Sequence, residues 1–397
     1  MLRELERIQA SIREAGLDGW LLYDFHGSNP IATGLAGLGG PGVMTTRRWY
    51  YLIPANGSPV GLVHAIERHN LDALPGEKRV YSERRTLVAE LRRLLSGQRR
   101  LAMEYSPACT IPYLSRVDGG TLEQIRDLGV EVVSSGDLAQ QFEAAWDAAA
   151  LATHREASAR LYRIKDRAFE AVAACLRDQR AVTEHEIQQL MVGWFDEEGL
   201  VSDSAPVVAA AENTANPHYL PSAERHRTIR PGDVVLLDLW GKLDLPGTVF
   251  ADITWVGVAS PDVPDAVQAV FSVVREARDA AIGLVQTAVT AGRPLAGWQV
   301  DRAARDVIEG AGYGAQFVHR TGHSLGESVH GNGVHMDDYE THDERQLLPG
   351  TGFTIEPGIY LESFGIRSEI NMFVGEGSAT VTGSSQSRVV TLANGGR

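Results

Sequence analysis

The chain has 397 residues, which at roughly 150 residues per domain implies two to three domains. Hydrophobic residues make up 44% and charged residues 22%, so wholesale disorder and fibrous repeats are excluded. Lys and Arg total 37 against 51 Asp and Glu, a formal charge of -14 that repels phosphate backbones and argues against nucleic acid as the main partner. The same excess leaves carboxylates to spare for a cation site. Cys109 and Cys175 stand far apart without CxxC spacing, which speaks against a disulfide framework and for a reducing, cytoplasmic setting.

At the N-terminus Leu2, Leu5, Ile8 and Ile12 recur at helical spacing among charges, so the segment predicts an amphipathic helix and no signal peptide. No window approaches the ~20 apolar residues of a membrane span, and no membrane partner is expected. Trp20–Tyr23 and Trp49–Ile53 predict strands, the second followed by a Pro54–Gly57 turn. Leu87, Leu91, Leu94 and Leu95 mark a helix, and strands are predicted at Leu101–Glu104 and Val130–Val133, separated by a helix near Leu122–Leu128. Alternation of this kind indicates an α/β domain over 1–140. Few of its residues cluster into chemistry.

Residues 136–152 are Ala-rich and helical, and the domain boundary is expected there. A long helix follows over Thr153–Leu176. Thr183 and Glu186 form a capping box that opens another, with Ile187, Leu190, Met191 and Trp194 on one face. Beyond it the pattern changes to strands at 234–240 and 249–256, a helix-rich stretch over 264–312, and strands at 352–356 and 366–374. Residues 150–397 therefore predict an α+β domain with an antiparallel sheet.

Within these strands lies an energetic anomaly. Asp238 interrupts an apolar run, Asp252 sits between Ala251 and Ile253, Glu356 follows Phe353-Thr354-Ile355, and Glu369 lies near Ile366, Ile370 and Met372. Burying an unpaired carboxylate costs several kcal/mol at least, so each must be protonated, paired or metal-bound. Lys242 and Arg367 are the only cations close in sequence. One such Asp is more often a strand-edge residue bonded to backbone. Four, each in its own apolar strand, favour ligands.

His319, His323 and His330 fall within twelve residues. The spacing of His319 and His323 would suit a helical zinc site, but Gly322, Ser324 and Gly326 argue for a loop, and Arg320 stands where the catalytic Glu would be. The three imidazoles instead suggest one ligand plus proton carriers. Two Asp, two Glu and one His make an oxygen-rich set whose four charges balance two divalent ions: Mn²⁺ first, with Co²⁺, Fe²⁺ or Zn²⁺ as alternatives. Two such ions activate a water and polarise a carbonyl, which predicts a dinuclear metallohydrolase.

The order Asp238, Asp252, His323, Glu356, Glu369 resembles that of the pita-bread metallopeptidases, the group of methionine aminopeptidase, aminopeptidase P, prolidase and the non-metallo creatinase. Val235–Asp238, Asp252–Thr254, Thr321–Gly326 with Val329-His330, Thr354–Tyr360 and Gly365–Glu369 each resemble one of its motifs, over roughly 150–397. The first 140 residues resemble, more loosely, the creatinase-type domain of the proline-specific branch, and Asn216–Tyr219 resembles that branch's proline-histidine segment.

The resemblance implies hydrolysis of the bond preceding proline in short peptides. A prolidase-like Xaa-Pro dipeptidase is favoured; the alternatives are an aminopeptidase P acting on longer peptides and, more remotely, a pita-bread binding protein without chemistry or a metal-free creatinase-like hydrolase. It also implies the roles. Asp238, Asp252, His323, Glu356 and Glu369 would hold the metals, with Glu356 handling the proton of the attacking water. His330 and His218 would contact substrate, and His319 would line the pocket as a catalytic residue. Arg367 would support catalysis and substrate binding, through the second Asp. A homodimer is implied too. There are departures: Trp255 replaces a usual Arg, Ser324 a common Gly, and Trp240 and Gly241 alter the end of the first motif. The loop 241–248 and the acidic segment 331–348 are longer than usual, and a long segment there favours the dipeptidase.

Overall fold

The computed structural model describes residues 5–40 and 43–393. Leu2, placed by its spacing on the stripe of the first helix, lies outside them. The chain divides into two compact units, Met1–Glu143 and Ala144–Arg397. Among the described residues no helix is long and apolar enough to cross a membrane.

The first unit is a six-stranded mixed sheet between helices. Its strands are β1 (Gly19–Asp24), β2 (Trp49–Pro54), β3 (Val60–His64), β4 (Glu77–Tyr81), β5 (Arg100–Met103) and β6 (Glu131–Ser134), in the order β4-β3-β2-β1-β5-β6. One face, with Trp20, Leu22 and Ile53, packs on Ile8 and Ile12 of α1 (Leu5–Glu14), on Ile31 and Leu35 of α2 (Pro30–Ala36), and on α5 (Gly136–Ala139). The other, with Leu21, Leu52 and Leu101, packs on Leu87 and Leu91 of α3 (Arg84–Leu94) and Ile125 of α4 (Gly119–Asp127). Period-2 alternation along β1 thus feeds two separate cores. β3 and β4, shorter and partly polar, had no predicted counterpart.

The second unit opens with α6 (Ala148–Arg177) and α7 (Glu184–Glu197). α6 begins five residues earlier than its apolar spacing predicts, because the Asp147 carboxylate accepts from the Ala150 amide at 2.7 Å and caps it. The capping box of α7 forms as predicted, but its buried face is Ile187, Met191 and Phe195, while Leu190 is exposed. Glu184 takes the inward position instead, since its carboxylate accepts from the Ala210 amide, Asn213 and the Tyr219 hydroxyl.

Short β7 (Leu200–Val201) and β8 (Val207–Ala210) both pair with β9 (Val234–Leu243), which forms a long antiparallel ladder with β10 (Ala251–Val258). After α8 (Asp265–Thr290) and α9 (Gly297–Gly310) comes β11 (Ser324–Leu325), followed by β12 (Gly352–Ile355), β13 (Gly358–Tyr360), β14 (Gly365–Arg367), β15 (Ile370–Gly375), β16 (Ser378–Val381) and β17 (Val390–Thr391). β11-β12-β15-β16 form a second, antiparallel sheet, β13-β14 a two-stranded one, and β17 adds to β10 in parallel. Phe271, Val274 and Ala281 of α8 cover Phe353, Ile355, Ile370 and Met372 in the largest core.

The predicted strands 352–356 and 366–374 are each broken at their carboxylate: β12 ends at Ile355, and Ser368-Glu369 separates β14 from β15. The break has a cause. Glu369 donates its amide to Thr254 O of β10 at 3.2 Å, and the Asn371 side chain pairs with the backbone of Asp252 through both its amide nitrogen and oxygen. A continuous ladder through Glu369 would compete for its amide, whereas Asn371, within β15, joins the sheets through its side chain.

Candidate metal centre

Asp238 and Asp252 share one face of the β9-β10 ladder because Asp238 lies opposite Thr254 and Asp252 opposite Trp240. Thr254 Oγ1 donates to Glu369 Oε2 at 2.7 Å and so ties the last glutamate to the same face. His323 comes from the coil before β11, not from a helix, as its glycines predict. Gly322 is needed there, since a Cβ at that position would overlap the Thr354 carbonyl. The close approach lets the His323 amide donate to Thr354 Oγ1 at 3.0 Å, and the Glu356 amide donate to Thr321 O at 2.6 Å.

The result is convergence. One donor atom each from Asp252, His323 and Glu369 lies within 4.8 Å of the others. His323 Nε2 is 3.5 Å from Asp252 Oδ2 and 3.6 Å from Glu356 Oε1. Its Nδ1 faces the Ser324 carbonyl at 3.2 Å, which makes Nδ1 the protonated nitrogen and leaves the Nε2 lone pair in the site. Asp238 completes the set but is held by Arg367, whose Nη2 donates to it.

Arg367 differs from expectation here: it reaches the first aspartate, not the second. Its Nε donates to Thr254 Oγ1 at 3.0 Å and its Nη1 to the Tyr360 hydroxyl at 3.2 Å. Register explains this, since Arg367 ends β14 beside Thr254, the cross-strand partner of Asp238. Tyr360 in turn donates to His319 Nε2 at 2.7 Å, while His319 Nδ1 donates to Arg320 O at 2.7 Å. Both nitrogens of His319 are thus engaged. Lys242, the other local cation, bonds Glu327 O and lies over the Phe250 ring, away from the carboxylates.

Electrostatics follow from crowding. Burial raises Asp252 to about 7 against the pull of Arg367, and Asp203 adds to the rise. Burial likewise raises Asp238 and Glu356, offset by Arg367 and His323 respectively. Glu369 is raised well above the usual range by burial and then by Asp252, Glu356 and Asp238. Burial lowers His323 to about 4 and His319 to about 3, so both rings are neutral at pH 7. Burial works against the charge on Arg367, but Tyr360, Asp238, Glu356 and Glu369 outweigh it.

These residues fit a divalent ion. Asp252 Oδ1 is buried and takes no hydrogen bond, a cost that a cation would remove. Four carboxylates gather beside the Arg367 guanidinium, and a neutral imidazole lone pair points among them.

His330 lies edge-on to His323 with ring centroids 4.5 Å apart, on the open side, and His218 is exposed in the loop after β8. Burial lowers His330 to about 3, with His323 and Arg320 adding to the fall. Several neighbours carried no signal of their own: Thr254, Thr354, Tyr360 and Asn371 look like ordinary strand polar residues. Asp203, which accepts from Trp240 Nε1 at 2.7 Å, is likewise invisible in sequence. The segment 331–348 is ordered by its own acids. Asp337 accepts from the Tyr339 and Glu340 amides, and Asp343 forms a buried pair with Arg345. Its Met336 bridges Gly322 and so braces the histidine motif.

Residues 156–376, more than half of the chain, match metallopeptidase family M24. Among curated proteins, the chain is 35% identical over 164 residues to a Xaa-Pro dipeptidase of Lactobacillus helveticus, covering 41% of this chain and 40% of that one. It is 32% identical over 206 residues to a Xaa-Pro dipeptidase of Lactobacillus delbrueckii subsp. lactis, covering 51% and 49%. The matches thus span half or less of these relatives. Among solved structures, dipeptidase PepE from Mycobacterium ulcerans superposes with a TM-score of 0.72 at 26% identity, covering 98% of this chain and 97% of that one. Prolidase from Thermococcus sibiricus, at 24% identity and a TM-score of 0.64, shares the pita-bread fold. The family match, over more than half of its length, identifies the chain as a member of metallopeptidase family M24.

Proposed function

We propose that the protein hydrolyses the peptide bond preceding proline, with dipeptides as the favoured substrates. The observation that carries this is the grouping of donor atoms from Asp252, His323 and Glu369 within 4.8 Å of one another, with Glu356 Oε1 3.6 Å from His323 Nε2 and Asp238 bonded to Arg367 nearby. The names of the relatives, Xaa-Pro dipeptidases and a dipeptidase, support the substrate class.

As a metallopeptidase of this family the chain depends on a divalent metal, which would supply an activated water and polarise the scissile carbonyl. The five donors would hold two ions, Mn²⁺ by preference, because four carboxylates balance four positive charges and oxygen dominates the set. Glu356, raised by burial and poised 3.6 Å from His323 Nε2, is suited to take the proton of the attacking water and pass it on. His330 and His218 stand on the open side, where they would meet the substrate and the oxyanion formed from its carbonyl. The departing proline nitrogen needs a proton, and the Glu356 carboxyl, once protonated by the attacking water, would return it.

Arg367 and Tyr360 act through others. The guanidinium fixes Asp238 and, with Thr254, orients Glu369; Tyr360 links that guanidinium to His319. His319 is therefore a positioning residue in place of the proton carrier its sequence context suggested. The unpaired Cys109 and Cys175 are in keeping with a cytoplasmic setting. A homodimer rests on the family resemblance alone.

Activity on alanyl-proline is expected to vanish after chelation and to return with Mn²⁺ or Co²⁺, and to exceed that on alanyl-prolyl-alanine at matched metal. Indifference to chelation and readdition would reject the proposal; faster cleavage of the tripeptide would reassign it to an aminopeptidase. His330→Ala should keep its metal content, measured by mass spectrometry, yet lose about 10²–10⁴-fold in kcat, whereas Glu356→Ala should lose both metal and turnover.

The raised carboxyls also give a sign for pH. Asp252, at about 7 when folded, is above its ordinary 3.8, so its protonated form adds stability that is complete below about pH 4 and lost as pH rises through about 7. In EDTA the melting temperature should fall between pH 5 and pH 8, and Asp252→Asn should flatten that fall. Added Mn²⁺ should raise the melting temperature more at pH 8 than at pH 5, because protons compete for the same oxygens.

A further inference from the structure

Asp203 stands two residues beyond β7, exposed, with Oδ1 accepting from Trp240 Nε1 at 2.7 Å. Trp240 is the cross-strand partner of Asp252 and lies two residues beyond Asp238, so its indole leaves the ladder on the metal-binding face. The ring is half-buried between two apolar groups, Val207 with Tyr219 on one side and Phe250 with Leu325 on the other. It therefore has little freedom to turn, and it holds Asp203 at a fixed place beside the cleft.

No Lys or Arg among the described residues forms an ion pair with Asp203. A carboxylate anchored on an indole edge and facing water has the makings of a cation receptor. The remaining acids of the site are already committed to His323, Thr254 or Arg367. Asp203 has no such partner among the described residues; its printed bond is to the neutral Trp240 indole.

The geometry points to Asp203, braced by Trp240, as the group that selects a positively charged side chain on the residue preceding proline. The inference rests on the Xaa-Pro hydrolase proposed above and adds the class of first residue, Lys or Arg. An α-ammonium could offer the same chemistry, but it is common to every dipeptide and would give no preference among them, so the two sources separate experimentally.

The test compares kcat/KM for lysyl-proline, norleucyl-proline and glutamyl-proline at matched Mn²⁺ with the full chain. Norleucine keeps the length and the α-ammonium and removes only the side-chain charge. The natural protein should prefer lysyl- over norleucyl-proline by about fivefold, the upper end of a water-exposed ion pair. Asp203→Asn should bring that ratio to about one, and Asp203→Lys should make glutamyl-proline the better substrate of the charged pair; both effects should shrink in high salt. Equal rates on lysyl- and norleucyl-proline, or an equal loss on both in Asp203→Asn, would overturn the assignment while leaving the hydrolase intact; the second result would give Asp203 to the α-ammonium. Failure of the metal-loaded protein to cleave any of the three would sink the hydrolase proposal and this inference with it.

Discussion

Four carboxylates brought together in a largely buried place repel one another, and the Arg367 guanidinium alone cannot balance them. Asp238 and Asp252 come from β9 and β10, Glu356 and Glu369 from the breaks after β12 and β14, and they gather near His323 with Arg367 bonded to Asp238. Each is pushed toward its protonated form by burial and by its neighbours. Divalent cations resolve the conflict without protons, and the rest of the second unit is arranged to make that convergence hold. The strands break at Glu356 and Glu369 because continuing the ladder would turn these side chains elsewhere. Asn371 and Thr254 take over the bonds the ladder gives up.

A carboxylate in an apolar strand is not enough to mark such a site, and the first unit shows why. Glu104 is wholly buried and raised by burial, yet its oxygens accept from Trp20 Nε1, Asn29 Nδ2 and Ser135 Oγ, three neutral donors. Glu184 in the second unit is satisfied in the same way by amides and a hydroxyl. Asp252 is different in kind, with a buried oxygen that has no donor at all. Convergence and unmet bonding together separate ligands from structural acids.

This contrast explains what was legible in the sequence. The four carboxylates stood out because each interrupts an apolar run, and their order together with His323 resembled that of a family. The α/β and α+β divisions followed from periodicity, as did α1, β1, β2 and the capping box of α7. What sequence missed depends on register, which only the folded sheets supply. Arg367 reaches Asp238 through the pairing of Asp238 with Thr254, a relation between residues far apart in the chain. Tyr360 and Asn371 are unremarkable in strands until their partners are known. Leu190 was assigned inward by spacing, but Glu184 and Gln188 occupy that side because their polar ends find bonds there. Asp203 lies in a loop with no pattern to violate.

The account stands or falls on cations being held where these five side chains meet. Crystals grown with Mn²⁺, measured at its absorption edge, should show two anomalous peaks, each bonded to oxygens of Asp238, Asp252, Glu356 or Glu369, with one also bonded to His323 Nε2. A cluster that stays free of anomalous signal at saturating Mn²⁺, or peaks bound elsewhere with the four carboxylates protonated and hydrogen-bonded among themselves, would contradict it.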